Sequence, residues 1–139
     1  MIQNSEVLIV VPAYNEAGSI AQVISGIHSA GFSCVVVDDG SEDNTSHIAK
    51  EAGAAVLTLP FNAGVGGALR CGFRYAVENG FQAIIQCDAD GQHQSHHFQD
   101  LIRAANTTQA DVVLGSRFLS SENTLDPHIV RRFAMWWLA

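Results

Sequence analysis

Basic residues are scarce in this sequence. Seven Lys and Arg stand against fourteen Asp and Glu, which gives a formal net charge of −7 over 139 residues. Binding to a phosphate backbone requires a clustered basic surface, whereas these few cations are mostly scattered along the chain. The composition therefore argues against a nucleic acid partner.

Cysteine is scarce as well. Cys34, Cys71 and Cys87 are far apart and lie in apolar or helical stretches. An odd number of dispersed thiols indicates neither a disulfide framework nor a zinc knuckle. We therefore expect a reducing, cytoplasmic environment.

Long hydrophobic runs are missing from the start of the chain. The opening MIQNSEVLIVVP has an apolar run too short for a membrane span, and no basic segment precedes it as in a signal peptide. Hydrophobic residues make up 47% of the chain and charged residues 15%. These values are typical of one globular domain with a buried core.

Short apolar runs recur along the chain and predict strands. Their pattern is continuous rather than alternating, which favours strands buried on both faces. The runs are residues 7–11, 34–38, 55–59, 83–87 and 111–115.

Apolar residues at helical spacing separate these runs. They are Ile20, Val23, Ile24 and Ile27; Ile48, Ala49 and Ala52; Leu69, Phe73 and Val77; and Phe98, Leu101, Ile102 and Ala105. Asn15 is the predicted N-cap of the first helix, and Gly31, Gly53 and Gly80 lie where helices should end. Alternating strands and helices predict a doubly wound, Rossmann-like α/β domain with a mostly parallel sheet and helices on both faces.

Polar or glycine-rich segments directly follow the predicted strands. Any one of them could be only a set of turn residues, but together they lie at the carboxyl edge of the sheet, where α/β domains bind ligands. A reversal of strand order between the first and fourth strands would bring PAYNE beside DADGQH. The segments are PAYNE (12–16), DDGS (38–41), PFNAGVGG (60–67), DADGQH (88–93) and GSR (115–117).

Asp88 and Asp90 stand one residue apart after a buried strand, where like charges repel unless a cation or proton intervenes. A calcium loop would need Gly and Glu where this chain has His93 and Gln99. Zinc binding by the HQSHH histidines is disfavoured because the sequence lacks His-Glu-x-x-His. A hard cation, Mg²⁺ or Mn²⁺, held by carboxylates and substrate phosphates remains.

Two nearby side chains extend this metal hypothesis. Gln92 would add a carbonyl oxygen, and Arg117 would neutralise phosphate through its planar guanidinium. A metal, a diphosphate and an arginine together indicate stabilisation of a leaving group.

The segments VVPAYNEAGSI, VVVDDGSEDNT, NAGVGGALRCGFRYA, IIQCDADGQH and VVLGSRF together resemble the family 2 glycosyltransferases of GT-A fold, especially the dolichol-phosphate mannose synthase-like branch. The resemblance extends to about residue 118. It implies a nucleotide-sugar-binding core over residues 1–118. Residues 119–139 would form a linker and the start of an amphipathic acceptor-side or interfacial helix.

The resemblance also implies roles for individual residues. The nucleotide pocket would be lined by Pro12, Ala13, Tyr14 and Glu16, and by Asp39 with Asp38 behind it. The metal would be held by Asp88, Asp90 and Gln92. Phosphate of the donor or of a lipid-phosphate acceptor would be bound by Arg117, with Arg131 or Arg132. Asp90 and Arg117 are the predicted catalytic residues.

Two departures from the family pattern are visible. Many relatives carry Lys where this chain has Val65, so phosphate binding near Gly64 would depend on backbone N–H groups. The chain ends at Ala139, whereas the family continues through an acceptor-binding segment, so we expect an N-terminal catalytic part of a longer protein. The tail HIVRRFAMWWLA has the composition of an interfacial helix at the cytoplasmic membrane face, or of a helix packed on the protein.

The predicted function is sugar transfer, with inversion, from a GDP- or UDP-sugar to an acceptor such as a polyprenyl phosphate. The alternative is a catalytically inactive nucleotide-sugar-binding module. A nucleotidyltransferase is disfavoured because no basic glycine-rich signature lies near the N-terminus. Exposed sheet edges would allow a homodimer.

Overall fold

The computed structural model describes residues 1–91 and 97–115. A short 3₁₀ turn (Asn4–Glu6) precedes the first strand. The strands are β1 (Val7–Ala13), β2 (Ser33–Asp38), β3 (Ala55–Thr58) and β4 (Ala83–Gln86). The helices are α1 (Ile20–Ser29), α2 (Thr45–Glu51), α3 (Gly64–Glu78) and α4 (His97–Thr108).

The sheet is parallel, with the order β3-β2-β1-β4. Val10 of β1 is level with Val35 of β2 on one side and with Gln86 of β4 on the other. The chain therefore moves outward from β1 through β2 to β3 and then returns to the opposite side of β1. The predicted strand reversal between the first and fourth strands is confirmed.

Side chains of β1 alternate between two apolar layers. Val7, Ile9 and Val11 belong to the layer that includes α1, α2 and α4, whereas Leu8 and Val10 belong to the layer that includes α3. All five are at most 1% exposed, and burial of such a side chain is worth roughly 1.5–3 kcal/mol. Burial on both faces is confirmed for β1 and β2, whereas the outer strands β3 and β4 are half-buried.

The predicted helix ends are confirmed, but the predicted start of α1 is wrong. Gly31, Gly53 and Gly80 each follow a helix with φ between 77° and 90°, the left-handed conformation of a helix terminus. The N-cap of α1 is Ser19. Asn15 lies in the preceding loop with φ of 55°.

Helix α3 presents a different face to the sheet from the one its large apolar residues indicate. Phe73 and Val77 are 42% and 74% exposed, whereas Ala68 and Ala76 are buried. Gly72 lies between these alanines, and a Cβ there would be 2.3 Å from Cγ1 of Val10. Small residues thus face β1 because the helix packs too closely for larger side chains.

The fifth predicted strand is not formed: residues 111–115 are described and contain no strand. Val112 and Leu114 are 75% and 83% exposed. An apolar run becomes a strand only when a neighbour completes its hydrogen bonds, and within the described residues nothing pairs with the outer edge of β4.

Among the residues that the structure describes, no helix combines the length and the apolar character that a membrane span requires.

Candidate active site

Two loops meet where β1 and β4 end. The first loop comprises residues 14–19, and the aspartate loop comprises residues 87–91. The N–H of Cys87 donates to the carbonyl of Val10 at 3.0 Å, and the Ser19 hydroxyl donates to the carbonyl of Ala89 at 2.7 Å. The loop in which PAYNE ends is therefore hydrogen-bonded to DADGQH at Ala89.

The first loop is fastened to residues 41–45, which we call the clamp segment. Three consecutive backbone N–H groups of the loop each donate to a side chain of this segment. The pairs are Asn15 to Ser41 Oγ (2.9 Å), Glu16 to Thr45 Oγ1 (2.8 Å) and Ala17 to Asp43 Oδ2 (3.1 Å). The reverse bond, from the N–H of Glu42 to Oδ1 of Asn15, is 2.9 Å. Side-chain acceptors thus satisfy a backbone that belongs to neither a helix nor a strand.

Thr45 and Asp43 form the centre of this clamp. The Thr45 side chain is fully buried, and its hydroxyl accepts from Glu16 and donates to the Asp43 carboxylate. The Thr45 hydroxyl, and then the N–H groups of Thr45 and Ala17, lower the pKa of Asp43. Hydrogen bonds that favour the charged form keep this carboxylate ionised.

Two buried aspartates lie at the end of β2: Asp38 is its last residue and Asp39 follows it. Their carboxylates bind different segments of the chain. Asp38 is 2% exposed; its Oδ1 accepts the N–H of Ser41 at 2.9 Å, and its Oδ2 accepts the Ser46 hydroxyl. The two oxygens of Asp38 thus hold the turn after β2 and the first turn of α2. Asp39 is 4% exposed, and its Oδ1 accepts the N–H of Ala63 at 2.7 Å.

Asp39 connects three segments of the carboxyl edge. Its N–H donates to the carbonyl of Ala13 at 2.8 Å, while its carboxylate reaches the residue before α3. The adjacent Gly40 has φ of +76°, and a Cβ there would be 2.8 Å from the carbonyl carbon of Phe61. Only glycine allows so close an approach of the two loops.

The glycine-rich start of α3 is partly occupied by internal bonds. The N–H of Ala63 donates to Asp39, and that of Gly64 donates to Oδ1 of Asn62 at 3.0 Å. A phosphate at this helix end would therefore meet the N–H groups from Val65 onward. Phosphate binding at Gly64 stays a prediction.

The aspartate loop places its two carboxylates differently. Asp88 is half-buried, and its Oδ1 accepts a hydrogen bond from Nε2 of Gln86 at 3.4 Å. Asp90 is exposed. Burial, and then the charges of Asp88 and Asp90, raise the pKa of the Cys87 thiol to about 12. The Cys87 thiol, at the start of the loop, is therefore neutral at physiological pH.

The chemistry of this loop fits a hard divalent cation that is shared with a ligand. Within residues 1–91 and 97–115, no group of three or more His, Cys, Asp or Glu side chains could hold a metal ion. Mg²⁺ in phosphate-binding enzymes commonly takes one or two carboxylates and completes its shell with water and phosphate oxygens. Asp88 and Asp90 supply two carboxylates at the carboxyl edge of the sheet, and metal binding by them stays a prediction.

The predicted nucleotide-binding residues of the first motif lie along the end of β1. Ala13 is buried, Pro12 is half-buried, and Tyr14 is 45% exposed. The Glu16 carboxylate accepts the Ser19 hydroxyl at 2.7 Å. Their position at the edge agrees with the prediction, and their contacts with a nucleotide stay predicted.

Other predicted site residues lie outside the described residues. They are Gln92, Arg117, Arg131 and Arg132, together with His93, His96 and the segment 119–139. Their predicted roles in metal, phosphate and membrane binding stay predictions.

Sequence reasoning missed the residues that hold the site together, namely Ser19, Ser41, Asp43 and Thr45. Short polar side chains that bond to loop backbone were the available signal. Their partners are distant in sequence, however, so no local spacing connects them. Only the pairing of β1 with β2 and β4 brings them together.

A groove of about 400 Å³ opens at the opposite, amino edge of the sheet, with Leu8, His28, Phe32 and Cys34 among its lining residues. The Cys34 sulfur is 3.7 Å from Nε2 of His28. Burial raises the pKa of this thiol to about 11. A neutral thiol beside His28 is no activated nucleophile.

Comparison with known proteins agrees with the family resemblance found in the sequence. The model of the family described as Glycosyl transferase family 2 matches residues 8–139. An uncharacterized protein of Methanocaldococcus jannaschii is 35% identical over 138 residues, which covers 99% of this chain and 57% of that protein. The undecaprenyl-phosphate mannosyltransferase of Micrococcus luteus is 32% identical over 137 residues, covering 94% of this chain and 56% of that protein.

A solved structure supports the fold. Glucosyl-3-phosphoglycerate synthase from Mycobacterium tuberculosis, in complex with Mn²⁺, uridine diphosphate and glucosyl-3-phosphoglycerate, aligns with a TM-score of 0.57 and 26% identity. The alignment covers 73% of this chain and 39% of that protein. The chain thus spans little more than half the length of these curated relatives, and less of the solved structure.

Proposed function

The chain belongs to glycosyl transferase family 2, and from this membership we propose that it takes part in sugar transfer from a nucleotide diphosphate sugar to a polyprenyl phosphate, with inversion at the anomeric carbon. The observation that carries the proposal is the junction of the first loop and the aspartate loop at the strand reversal. The GT-A fold of the chain and its similarity to an undecaprenyl-phosphate mannosyltransferase support this proposal.

The nucleoside would bind along the first loop and the end of β2. Asp39 is fixed by its bonds to Ala13 and Ala63, and a carboxylate at the end of a neighbouring strand commonly accepts ribose hydroxyls in Rossmann-like domains. Tyr14 is exposed beside it and offers an aromatic face. The clamp segment would keep this surface ordered before the nucleotide arrives, which lowers the entropy cost of binding.

The diphosphate would lie over the aspartate loop. Asp88 and Asp90 would hold Mg²⁺ or Mn²⁺ together with the diphosphate oxygens, and Gln92 would assist them. A cation bound there would neutralise charge on the departing nucleoside diphosphate. Arg117 would stabilise the same charge through its guanidinium.

The acceptor would be bound by Arg131 or Arg132, the remaining residues predicted to bind phosphate. A polyprenyl phosphate is already anionic, so its oxygen attacks without a general base. Arg131 or Arg132 would bind that phosphate as guanidinium groups do. The amphipathic sequence around these arginines would place them at a membrane surface.

Calorimetric titration of the chain with GDP and with UDP tests this proposal. Each nucleotide is titrated with Mn²⁺ and again with EDTA, for wild type and for Asp90→Asn. Asp100→Asn is the matched control, because Asp100 is an exposed aspartate on α4 that pairs with Arg103 at 3.0 Å. We expect Mn²⁺ to strengthen nucleotide binding in wild type and in the control. Asp90→Asn should abolish this gain and leave the weaker metal-free binding in place.

The nucleotide that binds identifies the donor base. Failure of both nucleotides to bind with Mn²⁺ would contradict the donor site. Binding that is equally strong in EDTA, or unchanged in Asp90→Asn, would contradict the role of the aspartates.

A further inference from the structure

Ser19 occupies the N-cap of α1 but does not cap the helix. An N-cap serine ordinarily accepts an N–H from the first turn of its helix, whereas Ser19 makes no side-chain capping bond. Its hydroxyl is instead 2.7 Å from Oε2 of Glu16 and 2.7 Å from the carbonyl oxygen of Ala89. The side chain is thus directed across the junction between the two loops.

The two partners of Ser19 belong to different halves of the proposed donor site. Glu16 is in the first loop, whose backbone the clamp segment already holds. Ala89 lies between the two aspartates and is 4% exposed. Its carbonyl belongs to the planar peptide group that leads into Asp90, so a bond to this oxygen fixes the direction in which the chain enters Asp90.

The described hydrogen bonds make this hydroxyl an important support of the aspartate loop. Cys87 is held by the main chain of β1, but the carbonyl of Ala89 lies beyond the end of the paired strands. The hydroxyl has one proton, so it donates either to Glu16 or to Ala89 at any one time. The clamp segment also holds the first loop, so removing the hydroxyl should affect mainly the aspartate loop.

We infer that Ser19 is a positioning residue that holds the Asp88-Ala89-Asp90 segment in its cation-binding arrangement against the nucleotide-binding loop. The inference rests on the proposed function, because it concerns the same donor site. Partners that orient carboxylate ligands from behind typically change metal affinity or activity by about 10-fold to 100-fold when removed. Ser19 acts through Ala89 and touches no substrate itself.

The test measures Mn²⁺ affinity of the chain by calorimetry, alone and with the nucleotide that wild type binds. Ser19→Ala and Ser19→Gly both remove the hydroxyl, and glycine is also accepted at an N-cap, so one variant serves if the other folds poorly. Ser19→Thr keeps the oxygen. Ser25→Ala is the matched control, because Ser25 is exposed on the same helix.

We expect both hydroxyl-free variants to bind Mn²⁺ about 10-fold or more weakly, with nucleotide affinity in EDTA little changed. Ser19→Thr should recover most of the Mn²⁺ affinity, and Ser25→Ala should match wild type. This combination separates positioning of the aspartate loop from a general loss of structure, which would weaken metal-free nucleotide binding as well.

Other outcomes overturn the inference in distinguishable ways. If Asp90→Asn loses Mn²⁺ binding while the hydroxyl-free variants keep it, Ser19 has no positioning role and the donor site stands. If nucleotide affinity in EDTA falls as far as Mn²⁺ affinity, the hydroxyl serves general stability only. If wild type binds neither nucleotide with Mn²⁺, the proposed function and this inference fail together.

Discussion

Replacement of Thr45 by valine tests the clamp that orders the first loop. Valine nearly matches threonine in shape but can neither accept the N–H of Glu16 nor donate to Asp43. Both bonds are present in the structure, the first at 2.8 Å. The Thr45 side chain is fully buried, so water cannot occupy its place and reaches only the more exposed partners.

The expected cost follows from the two partners left behind. A buried donor that loses its acceptor costs about 1–3 kcal/mol. Glu16 is only half-buried and Asp43 is exposed, so water recovers part of both bonds. We therefore expect Thr45→Val to lower the free energy of unfolding by about 1–2 kcal/mol. If this cost falls on the ordered loop, nucleotide affinity drops by up to about 30-fold.

Urea unfolding followed by circular dichroism measures the stability change. Thr107→Val is the control, because the Thr107 hydroxyl donates to the carbonyl of Arg103 at 2.8 Å on the exposed side of α4. A surface change of this kind is expected within about 0.5 kcal/mol of wild type. Equal urea midpoints for the two valine variants would refute the reasoning that the clamp stabilises the first loop.

Two further predictions concern the packing of α3 and the thiol at the start of the aspartate loop. Gly72→Ala should be less stable than Gly66→Ala by about 1–3 kcal/mol in urea unfolding. A Cβ at Gly72 overlaps a buried valine, whereas a Cβ at Gly66 meets nothing within 4 Å. Equal stability of the two variants would contradict the close contact. With its pKa near 12, Cys87 should be alkylated by iodoacetamide at pH 8 more slowly than the less buried Cys71, as mass spectrometry of the folded chain would show; faster modification of Cys87 would contradict its burial.

The order of strands and helices could be predicted because the central strands have no exposed face. Val35, Val36 and Val37 are all fully buried, so the continuous apolar pattern was a faithful signal there. The same pattern failed at residues 111–115, where Val112 and Leu114 are largely exposed. Apolar composition reports what a strand would bury, but not whether a neighbour is present to bury it.

Helix α3 shows a second limit of sequence patterns. Spacing favoured Phe73 and Val77 as the buried face, because larger apolar side chains usually bury more surface. The separation between helix and sheet decides the matter instead, and at Gly72 that separation leaves no room for a Cβ. That separation depends on Val10 in another element, so it cannot be inferred from the spacing of apolar residues along the helix.

The proposed donor site combines one predictable part with one that was hidden. Parallel strands place their carboxyl ends on one edge, so the meeting of the first loop with the aspartate loop followed from strand order alone. How firmly each loop is held did not follow. Three backbone N–H groups of the first loop donate to side chains of the clamp segment, whereas the described hydrogen bonds join this loop to Ala89 through one serine hydroxyl. The nucleotide side should therefore be ordered in advance, and the cation side should respond more strongly to a single substitution.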